Sequence, residues 1–268
     1  MTVTAQPTPS SAPARLLIRK NVNELSAEEL AALRKAIKMA LGRSDTRGYQ
    51  YFSSWHGVSL GWCEHHNPLF PPWHRAYLYY FELTLQECVA GVTLPWWDWT
   101  TETGVPDSYE VAKAEGQENS LAGAPISPYG VKPKPGWPKH TNREPGAFPG
   151  IPPLPYKAEW DYAQQARSYT DFDQRLWQVH DTVHAWVGGT MGQVDWSAYD
   201  PLFWAHHANV DRAWRIWQHN NPGAYPPANV LDVPMRVVPP MTPRQTLDVK
   251  QLGYDYAGSE ASVPGTVA

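Results

Sequence analysis

The chain has 268 residues, 42% hydrophobic and 18% charged, which suits one large domain or two small ones. Its net charge of −4 argues against a nucleic-acid or anionic-membrane partner, and no apolar run approaches the roughly 20 residues of a membrane span. Two cysteines, Cys63 and Cys88, make no disulfide framework.

The opening stretch, "MTVTAQPTPSSAPAR", has the Pro, Ser and Thr content of a disordered tail, expected over 1–14. It lacks the apolar centre of a signal peptide. A cytoplasmic location is therefore the default expectation, although export with a helper protein would leave the same sequence. The first helix is expected over 25–42, "LSAEELAALRKAIKMALG". Ser26 and Glu29 there form a capping box, Leu25 and Leu30 a hydrophobic staple, and Gly42 a stop. A second helix is expected over 74–91, closed by Gly91, and a third over 172–189, closed by Gly188 and Gly189. The fourth begins after Asp200, a suitable N-cap, with Pro201 at the favoured first position. Between the second and third helices lie ten prolines from 125 to 155, a density that excludes regular helix or sheet. That stretch reads as a long surface excursion inside one domain, because the histidines on its two sides need each other. The segment after about 257 is small and polar and is expected to fray.

The chain has ten histidines and fourteen each of tryptophan and tyrosine. His180 and His184 are four apart, so they share one helix face with Cβ atoms about 5–6 Å apart. That spacing suits two ligands of one metal, and His207 from the next helix would complete a three-imidazole set. Upstream, "WHGVSLGWCEHHNPLFPPWH" holds His56, His65, His66 and His74, any three of which would make a second set. One histidine in such a setting is more often a satisfied core residue than a ligand; two sets in aromatic surroundings shift that balance. Imidazole suits copper, zinc, iron and nickel. The Glu-x-x-His motifs of di-iron carboxylate bundles are absent, as are bridging carboxylates for a hydrolytic dizinc pair. Two ions held by imidazole alone favour copper.

"WHG…CEHHNPLFPPWHRAYLYYFE" and "VHDTVHAWVGGTMG…YDPLFWAHHANVDRAWRIWQ" closely resemble the two copper-binding regions of the type-3 copper proteins. That family comprises tyrosinases, catechol oxidases, o-aminophenol oxidases and molluscan haemocyanin units. The resemblance runs from about Arg19 to the tyrosine motif ending at Tyr256. It implies a mainly α fold, a four-helix bundle around a dinuclear copper site with long Pro-rich loops, occupying 15–257 between tails at 1–14 and 258–268. It implies His56, His65 and His74 as ligands of the first copper and His180, His184 and His207 as ligands of the second. His206 is then expected to point elsewhere, since neighbours on a helix sit about 100° apart.

The same resemblance implies that Phe203 packs against the copper histidines and permits a thioether between Cys63 and His65. His66, His140 and His219 have no ligand counterpart in it. Asp211, one turn after His207, is expected to hold the other nitrogen of that imidazole, the plainer alternative being an ion pair with Arg212 or Arg215. Many tyrosinases place an Asn directly after the first ligand of the second copper, with a Glu nearby, to position a water that deprotonates the phenol. Here Asp181 takes the Asn position, with Asp171 and Asp173 the nearest acids upstream. Asp181 is accordingly the candidate catalytic proton acceptor, and Ala185 leaves room at the pocket mouth. The implied activity is oxidation of phenols or o-diphenols, and of o-aminophenols, to quinone products with dioxygen. The departures at Asp181 favour catechol oxidation over phenol hydroxylation. The competing implication is a haemocyanin-like reversible oxygen carrier. The short stretch after the tyrosine motif leads us to expect no covering lid and hence an enzyme. A copper-delivery helper protein is a further expected partner.

Overall fold

The computed structural model describes residues 16–114 and 116–259. The tail expected over 1–14, and that expected from 258 from residue 260 onward, lie outside the described residues; Ser259 itself is buried and its hydroxyl donates to Asp255 at 2.9 Å. The described residues form a mainly α structure of eight helices and four short strands. Helix α1 (Ala27–Leu41) carries the expected capping box, with Ser26 Oγ accepting from the Glu29 amide and Glu29 accepting from the Ser26 amide. The short helices α4 (Asp107–Glu110) and α7 (Val194–Ser197) punctuate the long connections, and α5 (Lys157–Gln164) packs against the start of α6. Strands β2 (Lys113–Ala114) and β3 (Gln117–Glu118) pair antiparallel.

Four helices surround the histidines: α2 (Tyr49–His56), α3 (Phe70–Cys88), α6 (Tyr169–Val187) and α8 (Pro201–Asn220). Helix α3 starts earlier than its histidine. Pro71 and Pro72 fall in its first turn, where missing N–H groups cost nothing. Helix α8 is capped as expected: Asp200 accepts from the Leu202 amide at 2.9 Å, and Pro201 follows. The stop after α6 requires glycine. Gly188 and Gly189 have φ of 65° and 53°, and a Cβ on either would lie 2.7 or 2.4 Å from the carbonyl oxygens of Glu144 and Asn142.

Those carbonyls belong to the proline-rich excursion, which is thereby docked on the end of α6. Arg143 fastens it to the start of α8 through a two-pronged pair with Asp200, and also donates to the carbonyls of Tyr109 and Leu121. The core between the helices is aromatic: Trp55, Trp73, Trp204, Trp214 and Trp217 are fully buried. Strand β1 (Leu17–Arg19) pairs in parallel with β4 (Tyr254–Tyr256), so that the two ends of the described chain meet.

Candidate metal centre

The structure brings all six expected histidines into one nest. On one side, the rings of His56 and His65 are 5.0 Å apart, those of His65 and His74 5.3 Å, and those of His56 and His74 5.7 Å. On the other, His180 and His184 lie 4.6 Å apart, and His207 is 4.8 and 5.4 Å from them. The two halves abut: His74 stacks on His207 at 4.5 Å, and His65 on His180 at 5.9 Å.

The outer nitrogens fix the tautomers. Nδ1–H of His74 donates to the Phe70 carbonyl at 2.8 Å, that of His56 to Val194 at 3.2 Å and that of His184 to Met191 at 2.8 Å. His180 Nδ1 donates to Asp181 Oδ1 at 2.9 Å. A neutral imidazole that donates through Nδ1 keeps a lone pair on Nε2. Four such lone pairs therefore point inward, and those of His56 and His74 are buried without a partner among the described residues. Burial holds all six imidazoles below their ordinary pKa, with the neighbouring imidazoles adding to the effect; His65 and His184 are brought down to about 4. They are thus neutral near pH 7, the form a metal requires. His207 Nε2 lies 3.2 Å from Nε2 of both His180 and His184. Donors around one metal at tetrahedral angles and bonds of about 2.0 Å would be about 3.3 Å apart. A cation between the three satisfies lone pairs that would otherwise face each other, and the residues present fit a metal of imidazole preference.

Phe203 forms the floor. Its ring stacks on His207 at 4.0 Å and meets His56 edge-on at 4.8 Å. A pocket of about 240 Å³ opens from the nest to solvent, lined by His56, His65, His180, His184, Asp181 and Ala185, with Met191 and Val194 among its apolar walls. The Cys63 sulfur lies within 4.8 Å of ring nitrogens of His56 and His65, and burial pushes its thiol up to about 12.

Two expectations are corrected. Asp211 does not hold His207, whose Nδ1 has no partner among the described residues. Its carboxylate accepts instead from Arg75 Nε at 2.5 Å, Arg19 at 3.3 Å and the hydroxyls of Tyr254 and Tyr256 at 2.7 Å each. The reason is geometric: one turn beyond His207, α8 crosses α3 at Arg75, and a buried guanidinium competes for the carboxylate more strongly than a neutral ring. Nor is the partner Arg212 or Arg215; Arg215 pairs with Asp255, and Arg212 lies over Trp96. His206 does not leave the site. It is fully buried, stacks on His180 at 5.2 Å, and its nitrogens stand close to those of His180, His184 and His207. Sequence reasoning gave His66 no ligand role and left it at the surface or behind the ligands; its Nε2 donates to Asp181 Oδ2 at 2.7 Å. Asp181 thus bridges His66 and His180. The adjacency of His66 to His65 was the available signal.

Residues 46–220 match the family model described as the common central domain of tyrosinase. The chain is 31% identical over 257 residues to the tyrosinase of Streptomyces glaucescens, covering 84% of this chain and 92% of that one. It is 30% identical over 217 residues to haemocyanin units G and H of Sepia officinalis, covering 75% of this chain and 38% of that one; against haemocyanin 1 of Megathura crenulata the share of the relative is 7%. The chain therefore spans only a minor part of those haemocyanins. A functional unit of octopus haemocyanin superposes with a TM-score of 0.77 at 28% identity, over 92% of this chain and 70% of that one. The tyrosinase of Burkholderia thailandensis, at 21% identity, shares the fold with a TM-score of 0.76, over 92% and 76% of the two chains. With a matching central domain and a histidine nest built for metal, the chain belongs to the tyrosinase family of type-3 copper proteins, whose centre is a pair of copper ions.

Proposed function

We propose that the chain is a copper-dependent oxidase that converts phenols or o-diphenols, including o-aminophenols, to quinone products with dioxygen. His56, His65 and His74 would hold one copper, and His180, His184 and His207 the other. Bound there, the copper pair supplies redox chemistry with dioxygen that no side chain of this protein can supply. The chain's own share is to bind and orient the ring, keep bulk water out and take up a proton.

The observation that carries the reading is the open pocket: its inner end is made of the imidazoles themselves, and its walls are apolar. A single aromatic ring can slide along Ala185 and Val194 with its hydroxyl toward the nest. Asp181 lies at the mouth, 42% exposed. Each of its oxygens already accepts one N–H, from His180 or His66, and a carboxylate oxygen keeps a further lone pair. That lone pair is our candidate acceptor for the hydroxyl proton of the ring, or for an N–H of an amino-bearing ring. The similarity to haemocyanins supports a second reading, a reversible dioxygen carrier.

Oxygen uptake by the copper-loaded chain separates the two. It is followed with a monophenol, a catechol and an o-aminophenol in turn. Continuing uptake with at least one of them is expected. Uptake that stops once the protein is saturated, with all three, would establish the carrier instead.

A further inference from the structure

His65 and His66 are neighbours in sequence whose side chains go to different halves of the histidine nest. The φ of 54° at His66 lies in the left-handed region, where histidine is among the residues that settle most readily. This turn sends the two side chains apart. His65 enters the nest beside His56, while His66 lies against α6, its ring 4.3 Å from that of Trp177 and its Nε2–H on Asp181. The same carboxylate holds His180 Nδ1. The rest of the loop is fastened to α6 as well: Tyr169 donates to the Pro68 carbonyl at 2.8 Å, and the Phe70 ring meets His180 at 4.8 Å.

From this geometry we infer that His66 is a positioning residue that couples the loading of the two copper ions. The inference rests on the two-copper reading above. An ion bound through His65 fixes the loop, the fixed loop fixes His66, and His66 holds Asp181 where it aligns His180. Removing an outer partner of a metal-bound imidazole commonly costs 10–100-fold in affinity. His66 and Asp181 are both partly exposed, and exposed pairs are weak. The expected coupling is therefore about five- to tenfold, the low end for linked sites. By reciprocity, each copper raises the affinity for the other by the same factor.

The test is titration of the copper-free chain with Cu(I), without oxygen, against a chromophoric Cu(I) chelator. Wild type should take two coppers in one cooperative step. His66→Phe keeps a ring on Trp177 but loses the N–H; it should load without cooperativity, with one copper bound about five- to tenfold more weakly. His66→Gln, whose amide N–H reaches a similar point, should restore cooperative loading. A wild type that takes fewer than two coppers overturns the two-copper site itself. A wild type that takes two, with His66→Phe loading as tightly and as cooperatively, overturns the coupling alone. Failure of His66→Gln to restore what His66→Phe loses would overturn the hydrogen bond as its cause.

Discussion

Asp173 is a carboxyl group 5% exposed on α6, and its Oδ1 has no partner among the described residues. Burial pushes its pKa up to about 8, against about 3.9 in an unfolded chain. The folded chain therefore keeps a proton that the unfolded chain releases between about pH 4 and pH 8. Asp173 lowers stability progressively as pH rises through that window. Asp173→Asn should remove the effect: little change near pH 4, and a gain on the order of a few kcal/mol near pH 8. Urea unfolding of both proteins across this range measures it. A loss that grows as pH rises would mean that the carboxylate is held by a cation. At Asp181 the expectation is different, because this side chain faces the pocket. If it accepts the hydroxyl proton, Asp181→Asn should slow monophenol hydroxylation by roughly 10²–10⁴-fold and catechol oxidation far less. Equal small losses on both substrates would limit Asp181 to orienting His180. Single residues were legible in the sequence where a local rule determines the outcome. The i, i+4 spacing of His180 and His184 fixes one face whatever surrounds it. The partner of Asp211 was not legible, because it depends on Arg75, 136 positions away.

Helices with strong end signals were read correctly in kind. Ser26 and Glu29 announced α1, and Asp200 with Pro201 announced α8. Helix α2 was missed although it delivers His56. It has eight residues, no side-chain cap, and seven of its residues are buried, so neither a cap nor an amphipathic stripe marks it. It forms because tertiary packing holds it, for example through the Tyr49 hydroxyl on the Tyr199 carbonyl and Ser53 on the Ala198 carbonyl. The end of α6, by contrast, was marked by its glycine pair, and the structure shows why the pair matters to the site. Gly189 faces the Asn142 carbonyl, and two residues on, Met191 accepts the Nδ1–H of His184. Gly189→Ala adds a Cβ where backbone already stands and keeps a positive φ that alanine disfavours. It should cost more than about 1 kcal/mol in stability and weaken copper binding as His184 loses its orientation. Thermal unfolding together with chelator competition would check this, and unchanged copper affinity would separate the turn from the site.

Across the whole molecule, the two ends of the described chain meet at Asp211. Arg19 on β1 bonds to Glu82 of α3 and Asp211 of α8, lies 3.7 Å over the Tyr254 ring, and accepts no exposure to solvent. Tyr254 and Tyr256 on β4 donate to the same carboxylate, their hydroxyls kept protonated by burial and by the Asp211 charge. Arg75 adds a second guanidinium one position after His74. One carboxylate thus ties together α8, α3, β1 and β4 behind the histidine nest. Asp211→Asn removes the negative charge but leaves both guanidinium groups buried. Breaking a buried pair from one side typically costs about 3–5 kcal/mol, and Glu82 offsets part of this for Arg19 only. The copper-free variant should therefore unfold in urea with a loss near that range. The folded nest should bind copper more tightly than the unfolded chain, so saturating copper should restore part of the loss, at most about 2.7 kcal/mol for each site at a hundredfold excess over its dissociation constant. If Asp211 served His207 instead, the pattern would be reversed: copper-free stability would hardly move, and the gain from copper would shrink. Unfolding curves of wild type and variant, each with and without copper, distinguish these outcomes.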